Sequence, residues 1–154
     1  MSSRLTVQGP IKQDTASFIL SYRRFYLGDL AQLYIDESSK FHGSNYYFYD
    51  LNAKLNWILS DKDRFYLSGY LGEDVFEFKN SKSGFGMSTP SGNAIASLRW
   101  NHLFNDKLFS NTSFNYTRYQ FEVGLELDQF EFKLYSGIYD WNANIDFIYL
   151  PLII

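Results

Sequence analysis

The stretch Tyr46–Phe78, YYFYDLNAKLNWILSDKDRFYLSGYLGEDVFEF, decides the fold. From Tyr47 to Leu59 every second residue is apolar (Tyr47, Tyr49, Leu51, Ala53, Leu55, Trp57, Leu59), with Asp50, Asn52, Lys54 and Asn56 between them. Successive side chains of a strand point to opposite faces, so this run has one apolar and one wet side. After Ser60-Asp61-Lys62-Asp63 the alternation resumes, with Phe65, Leu67, Gly69, Leu71 and Val75 opposed by Arg64, Ser68 and Asp74. Two long alternating runs about a short polar turn predict a long β-hairpin.

Composition extends that reading to the whole chain. Of 154 residues, 20% are aromatic (15 Phe, 13 Tyr, 3 Trp) and only 3 are proline, a balance that favours strands and argues against helical bundles and disorder. The net charge of -3, with Lys and Arg scattered, offers no stripe for a phosphate backbone, so no nucleic-acid partner is expected. Cysteine is absent, which removes disulfides and thiolate metal sites. No basic segment followed by an apolar one opens the chain, so no signal peptide is expected, and no apolar run is long enough for a membrane helix.

Taken in order, Arg4–Gln8 alternates and is expected to stop at Gly9-Pro10, with Ile11–Thr15 as a polar turn. Phe18, Leu20 and Tyr22 oppose Ser17, Ser21 and Arg23 in a second strand. Leu27–Asn45 reads as a long connection, with a helical turn around Leu30–Ile35 and the polar run Asp36-Glu37-Ser38-Ser39-Lys40. Beyond the hairpin, the Ser/Gly-rich Lys79–Asn93 is expected to be a second long, mobile loop. Ala96, Leu98, Trp100 and Phe104 then alternate against Ser97, Arg99 and Asn101. A turn at Asn105-Asp106-Lys107, a strand with Thr112, Phe114 and Tyr116 on one face, and a loop near Val123–Gln129 follow. In the last segment the apolar parity shifts from Phe132, Leu134 and Ile138 to Trp141, Ala143, Ile145, Phe147 and Tyr149, which predicts a bulge at Gly137. The apolar ending Leu-Pro-Leu-Ile-Ile reads as a truncation.

The expected fold is therefore all-β: an antiparallel meander of about seven long strands forming an open segment of a transmembrane β-barrel, with residues 1–154 as one partial barrel domain. Three features favour a membrane wall over a soluble sandwich. Arg64–Phe78 is about three times the usual strand length of roughly 5 to 6 residues. The connections alternate short and long, as tight periplasmic turns and outer loops do. Trp57, Phe65, Trp100, Phe104 and Phe109 gather beside the short turns as an aromatic girdle. Arg23, Asp50, Lys54, Asp74, Arg99 and Arg118 are the expected lumen-facing residues, pairing across strands or meeting a plug.

Several segments also resemble the β-barrel region of TonB-dependent outer-membrane receptors: Ser2–Arg24, Phe48–Phe78, Gly92–Tyr119 and Tyr135–Phe147. The resemblance implies a 22-stranded, plugged barrel of which this chain is roughly a third. It implies part of an outer-membrane transporter for chelated iron, vitamin or glycan, not transport-competent alone. Its partners are then outer-membrane lipid and the rest of the barrel with its plug, with TonB reached only through segments absent here. A soluble β-sandwich or lipocalin-like ligand-binding module is the alternative, and a small closed pore of about eight strands a third possibility.

No catalytic, cofactor or metal site is expected. Glu73 and Asp74 are strand neighbours that point apart. His42 and His102 lack metal-ligand spacing. Gly84 and Gly86 lie in a Ser-rich stretch with no following helix. The aromatics Tyr34, Phe41 and Phe85 could meet a nutrient in the outer loops.

Overall fold

The computed structural model describes residues 1–36, 39, 42–80 and 82–151. Seven antiparallel strands follow one another in a single sheet in chain order: β1 (Ser2–Lys12), β2 (Ala16–Phe25), β3 (Asn45–Ile58), β4 (Asp63–Asn80), β5 (Phe85–Asn105), β6 (Leu108–Leu127) and β7 (Phe130–Tyr149). One short helix, α1 (Leu27–Gln32), lies between β2 and β3. The sheet is open: β1 and β7 are its two edges and do not pair with each other, so the seven strands form no closed pore.

Local chemistry sets the turns. At 59–62, Ser60 Oγ donates to Asp63 Oδ2 at 2.8 Å, and Leu59 N bonds Asp63 O at 2.9 Å. Asn105 Oδ1 accepts from Lys107 N and Leu108 N, closing the β5–β6 turn as an Asx turn. Gly84 carries the positive φ of 64° that turns β4 into β5, and Asp128 does the same at the β6–β7 tip with φ 51°.

Several expectations change. β1 runs through Gly9-Pro10 to Lys12, because proline is tolerated on an edge strand; the register slips between Pro10 and Lys12 instead. The helical turn falls a few residues early, at Leu27–Gln32. Lys79–Asn93 is not a loop. β4 runs to Asn80 and β5 begins at Phe85, so the two form one hairpin, and Gly86, Ser88, Pro90 and Gly92 occupy one face of the strand. The β5–β6 register is interrupted at Thr89 and Pro90, where proline has no N–H to give. Likewise β6 extends to Leu127 and leaves only a tight turn before β7, rather than a loop over Val123–Gln129. Only the connection between β2 and β3 is long, so connection lengths do not alternate. Phe41 and residues 152–154 lie outside the described residues.

No core exists in the usual sense. Val75 and Ala94 are the only buried apolar side chains among the described residues. A close-packed monomer of this mass exposes roughly 8,000 Å², whereas the sheet exposes 11245 Å². The single layer leaves both of its faces largely exposed.

Candidate functional site

Residues directly opposite in an antiparallel ladder share a face, so the register assigns every side chain to one of two faces. The face bearing Leu51, called the outer face here, carries across the sheet Phe18, Leu55, Leu67, Leu98 and Phe114 in one row and Leu20, Ala53, Ala96, Tyr116 and Trp141 in the next. The row Tyr22, Leu51, Leu71 and Ala94 completes this apolar band. The opposite, inner face at the same levels is mainly polar, with Ser17, Asn52, Lys54, Asn56, Ser68, Ser97, Arg99, Asn115 and Asn144, interrupted by Ile19, Ile95, Tyr66 and Tyr70.

Beyond the Leu51 row the two faces exchange character, most completely on β6 and β7; Tyr49 and Tyr47 of β3 and Val75 of β4 stay on the outer face, and Asp74, Ser91 and Thr89 of β4 and β5 on the inner one. The outer face becomes Arg24, Glu73, Gln120, Glu122, Glu126 and Lys133, with Gly92 and Ser88 between. The inner face becomes Phe25, Phe48, Phe76, Phe78, Phe121, Leu125 and Phe132. Phe25 and Phe48 stack at 5.0 Å. The parity shift within β7 is this exchange. Gly137 pairs with Gln120 in an unbroken ladder from Leu127↔Phe130 to Leu108↔Tyr149, so the expected bulge is absent.

The band has aromatic margins. Toward the turns at 59–62 and 106–107, Phe65 stacks on Trp100 at 5.9 Å, and Phe104 meets His102 and Phe147. Tyr22, Tyr47, Tyr49 and Tyr139 mark the other margin of the same face. Trp57 and Tyr47, at opposite margins, are ten residues apart on β3. At about 3.3 Å per residue this separates the margins by about 33 Å along the strand.

The sequence-predicted residues fall as follows. Arg23, Asp50, Lys54, Asp74 and Arg99 share the inner face. Arg23 Nη2 lies 2.7 Å from Asp50 Oδ2 with its guanidinium over Phe48, and Arg99 lies over Tyr66. Lys54, Tyr66, Arg99, Asn111, Asn115 and Asp146 line a concavity of about 730 Å³ there. Arg118 is the exception. It stands opposite Ala94 and Tyr139 on the outer face, because it continues the parity of Phe114 and Tyr116. It lies at the level where that face turns polar and lines a depression of about 350 Å³ with Glu73, Gln120 and Glu122. Of the girdle residues, Trp57, Phe65, Trp100 and Phe104 share the outer face, whereas Phe109 pairs with Leu103 on the inner one. Phe109 follows the strand's ordinary alternation: it is odd-numbered on β6, where the outward residues Ser110, Thr112, Phe114 and Tyr116 are even.

Glu73 and Asp74 point apart; Tyr49 Oη donates to Glu73 Oε2 at 2.6 Å on the outer face. Tyr34 is exposed, and Phe85 packs beside Phe78 on the inner face. No group of three or more His, Asp or Glu among the described residues is placed to hold a metal. Sequence reasoning missed a cluster at the lower turns, where Asp63 Oδ1 meets His102 Nδ1 at 2.7 Å and accepts from Trp100 Nε1 at 2.9 Å. The hydrogen bonds from His102, Ser60 and Trp100 draw the Asp63 carboxyl down to about 2. Trp100 and His102 come from β5, so spacing gives no hint of them.

Compared with family models, with curated proteins and with solved structures, the chain matches none of them.

Proposed function

We propose that this chain is a stretch of wall of an outer-membrane β-barrel of the TonB-dependent receptor kind, serving uptake of chelated iron, vitamin or glycan and dependent on further strands and a plug. The observation that carries the reading is the exchange of polar and apolar faces beyond the Leu51 row, which is complete on β6 and β7. A wall that leaves the bilayer explains it. Within lipid the outer face is apolar and the lumen wet; above lipid the outer face meets water and the lumen side is packed by other protein. A sandwich or lipocalin-like module buries one face along the whole strand and calls for no exchange. In this reading the turns at 13–15, 59–62 and 106–107 are periplasmic, and the chain itself performs no catalysis.

The three tryptophans test the membrane part. Trp57, Trp100 and Trp141 share the outer face, with Trp141 four residues further along the register than Trp57, about 10 Å deeper into the band. Single-Trp variants folded into vesicles of lipids brominated at defined depths should show Trp141 quenched best by deep bromines and Trp57 and Trp100 by shallow ones. Equal, weak quenching of all three would overturn the membrane reading. The receptor part is tested separately: deleting the gene should abolish uptake of one labelled ferric chelate, vitamin or glycan, and unchanged uptake of all of them would overturn it.

A further inference from the structure

In the three rows of the outer apolar band Arg118 is the only charged residue. Its Nε is buried without a hydrogen-bond partner, and among the described residues its guanidinium makes no hydrogen bond or ion pair. A guanidinium left in that state on an apolar face is unfavourable, so the position calls for an anion from outside the chain.

The sequence leaves room for one. β5 brings Pro90, Gly92 and Ala94 in succession to the outer face, three short residues between Glu73 on β4 and Arg118, Gln120 and Glu122 on β6. Together they make the depression of about 350 Å³. Crowding does not demand the glycine: a Cβ on Gly92 would meet nothing nearer than Gly72 O at 3.8 Å. Glu73 and Glu122 wall the same depression, so a bare anion would meet two carboxylates beside the guanidinium. A phosphate carried on a sugar suits all three groups. The guanidinium grips the phosphate oxygens as a fork, and the carboxylates accept from the hydroxyls.

A second hollow shows where a tail would lie. The outer position after Ala94 on β5 is Ala96, and its row, Ala53, Gly69 and Ala96, is recessed beside Leu55, Leu67 and Leu98. This apolar trough of about 480 Å³ is walled by Leu20, Leu55 and Leu67. Gly92, Ala94 and Ala96 thus run from a charged hollow to an apolar one along a single strand, which matches the head and tail of one amphiphile.

We propose that the outer face of β4 to β6 is a binding site for one phosphorylated glycolipid, with the phosphate on Arg118, sugar hydroxyls on Glu73 and Glu122, and an acyl chain in the Ala53–Gly69–Ala96 trough. This rests on the proposed membrane reading and goes beyond it. A barrel wall requires an apolar band, but neither an unpaired charge in its last row nor a hollow beside that charge.

The test is lipid competition in vesicles of brominated phosphatidylcholine. The chain carries Leu98→Trp as its only tryptophan, with Trp57, Trp100 and Trp141 changed to Phe, so the reporter sits next to Ala96 on the outer face. Added lipid A, a phosphorylated glucosamine lipid, should relieve the quenching at about tenfold lower mole fraction than phosphatidylglycerol, which lacks the sugar, or a galactosyl diacylglycerol, which lacks the phosphate. Gly92→Val, which fills the hollow without a clash, and Arg118→Gln should each abolish that preference. Equal relief by the three lipids, or a preference that survives both substitutions, would overturn the proposal. Glucosamine 6-phosphate in solution should leave the relief by lipid A unchanged; reversal of the relief would mean a site for free sugar phosphate and would overturn the lipid assignment. Quenching by the brominated lipid alone separates the two claims. Quenching without lipid preference rejects the site and keeps the membrane reading, whereas no quenching at all rejects both.

Discussion

Arg23 and Asp50 stand opposite each other on β2 and β3, with Arg23 Nε and Nη2 each 2.7 Å from Asp50 Oδ2, at the level where the inner face passes from polar to apolar. The two side chains are unequally covered: that of Asp50 is 9% exposed and that of Arg23 41%. Removing the arginine strands a covered carboxylate, whereas removing the carboxylate frees an arginine that reaches water. Arg23→Leu should therefore cost about 1–3 kcal/mol and Asp50→Asn less than about 1 kcal/mol. Denaturant unfolding from micelles measures both; equal costs would mean that the burial of Asp50 is immaterial.

Charge substitutions should report the exchange of faces. Leu55 and Asn56 are neighbours in the apolar band, on the outer and inner faces. Leu55→Arg should cost about 2–4 kcal/mol in lipid and Asn56→Arg under about 0.5 kcal/mol. Beyond the exchange the order inverts between the faces, so Phe121→Arg on the inner face should be costly and Gln120→Arg on the outer face tolerated. Vesicle folding yields and unfolding midpoints for the four variants decide it.

Gly28 anchors α1 to the start of β3. A Cβ there would collide with the Asn45 side chain and sit 2.7 Å from Tyr46 O. The Gln32 amide spans the same junction, its Oε1 accepting from Gly43 N at 2.9 Å and its Nε2 donating to Ser44 O. Gly28→Ala should detach α1 at a cost of about 1–3 kcal/mol. Faster amide exchange should then be confined to residues 26–46, and an exchange map identical to that of the parent chain would refute the packing.

Asp63 makes the lower turns acid-sensitive. The hydrogen bonds from His102, Ser60 and Trp100 hold its carboxyl down to about 2 in the folded chain, below its ordinary 3.8. The unfolded chain therefore binds its proton first as pH falls. The contribution of Asp63 is complete above about pH 5 and is lost as pH drops through 3.8 toward 2. Asp63→Asn should flatten the stability profile over that window and leave it unchanged near neutrality apart from a constant offset. A parallel acid limb in variant and parent would show that the carboxyl does not carry it.

Strand existence was legible in the sequence because period-two alternation is a local property, and Tyr47–Leu59 displays it without interruption. The inward set was legible only as far as polarity tracks parity. Arg118 broke that rule because it occupies the last row of the outer apolar band, beside Ala94 and Tyr139, and Phe109 because its nearness to a turn does not fix its face, which β6 alternation turns inward. Lys79–Asn93 misled for a related reason. Gly86, Ser88, Pro90 and Gly92 are the outer face of a strand beyond the apolar band, where no apolar residue is required, and their composition imitates a loop. The exchange itself was present in β7 as a change of parity. It takes the register of all the neighbouring strands to distinguish a change of environment from an inserted residue.

A nitroxide scan along β7, in a chain that contains no cysteine of its own, tests the central claim most directly. Single Cys variants from residue 132 to residue 147 would be labelled in vesicles and probed for collision with oxygen, which reports lipid, and with a water-soluble nickel chelate. Oxygen access should peak at positions 141, 143, 145 and 147 and show no such peaks at 132, 134 and 138, while the chelate reaches 133, 135 and 137. One uninterrupted oxygen periodicity from 132 to 147, or oxygen maxima at 132 and 134, would contradict an exchange of faces at the membrane surface.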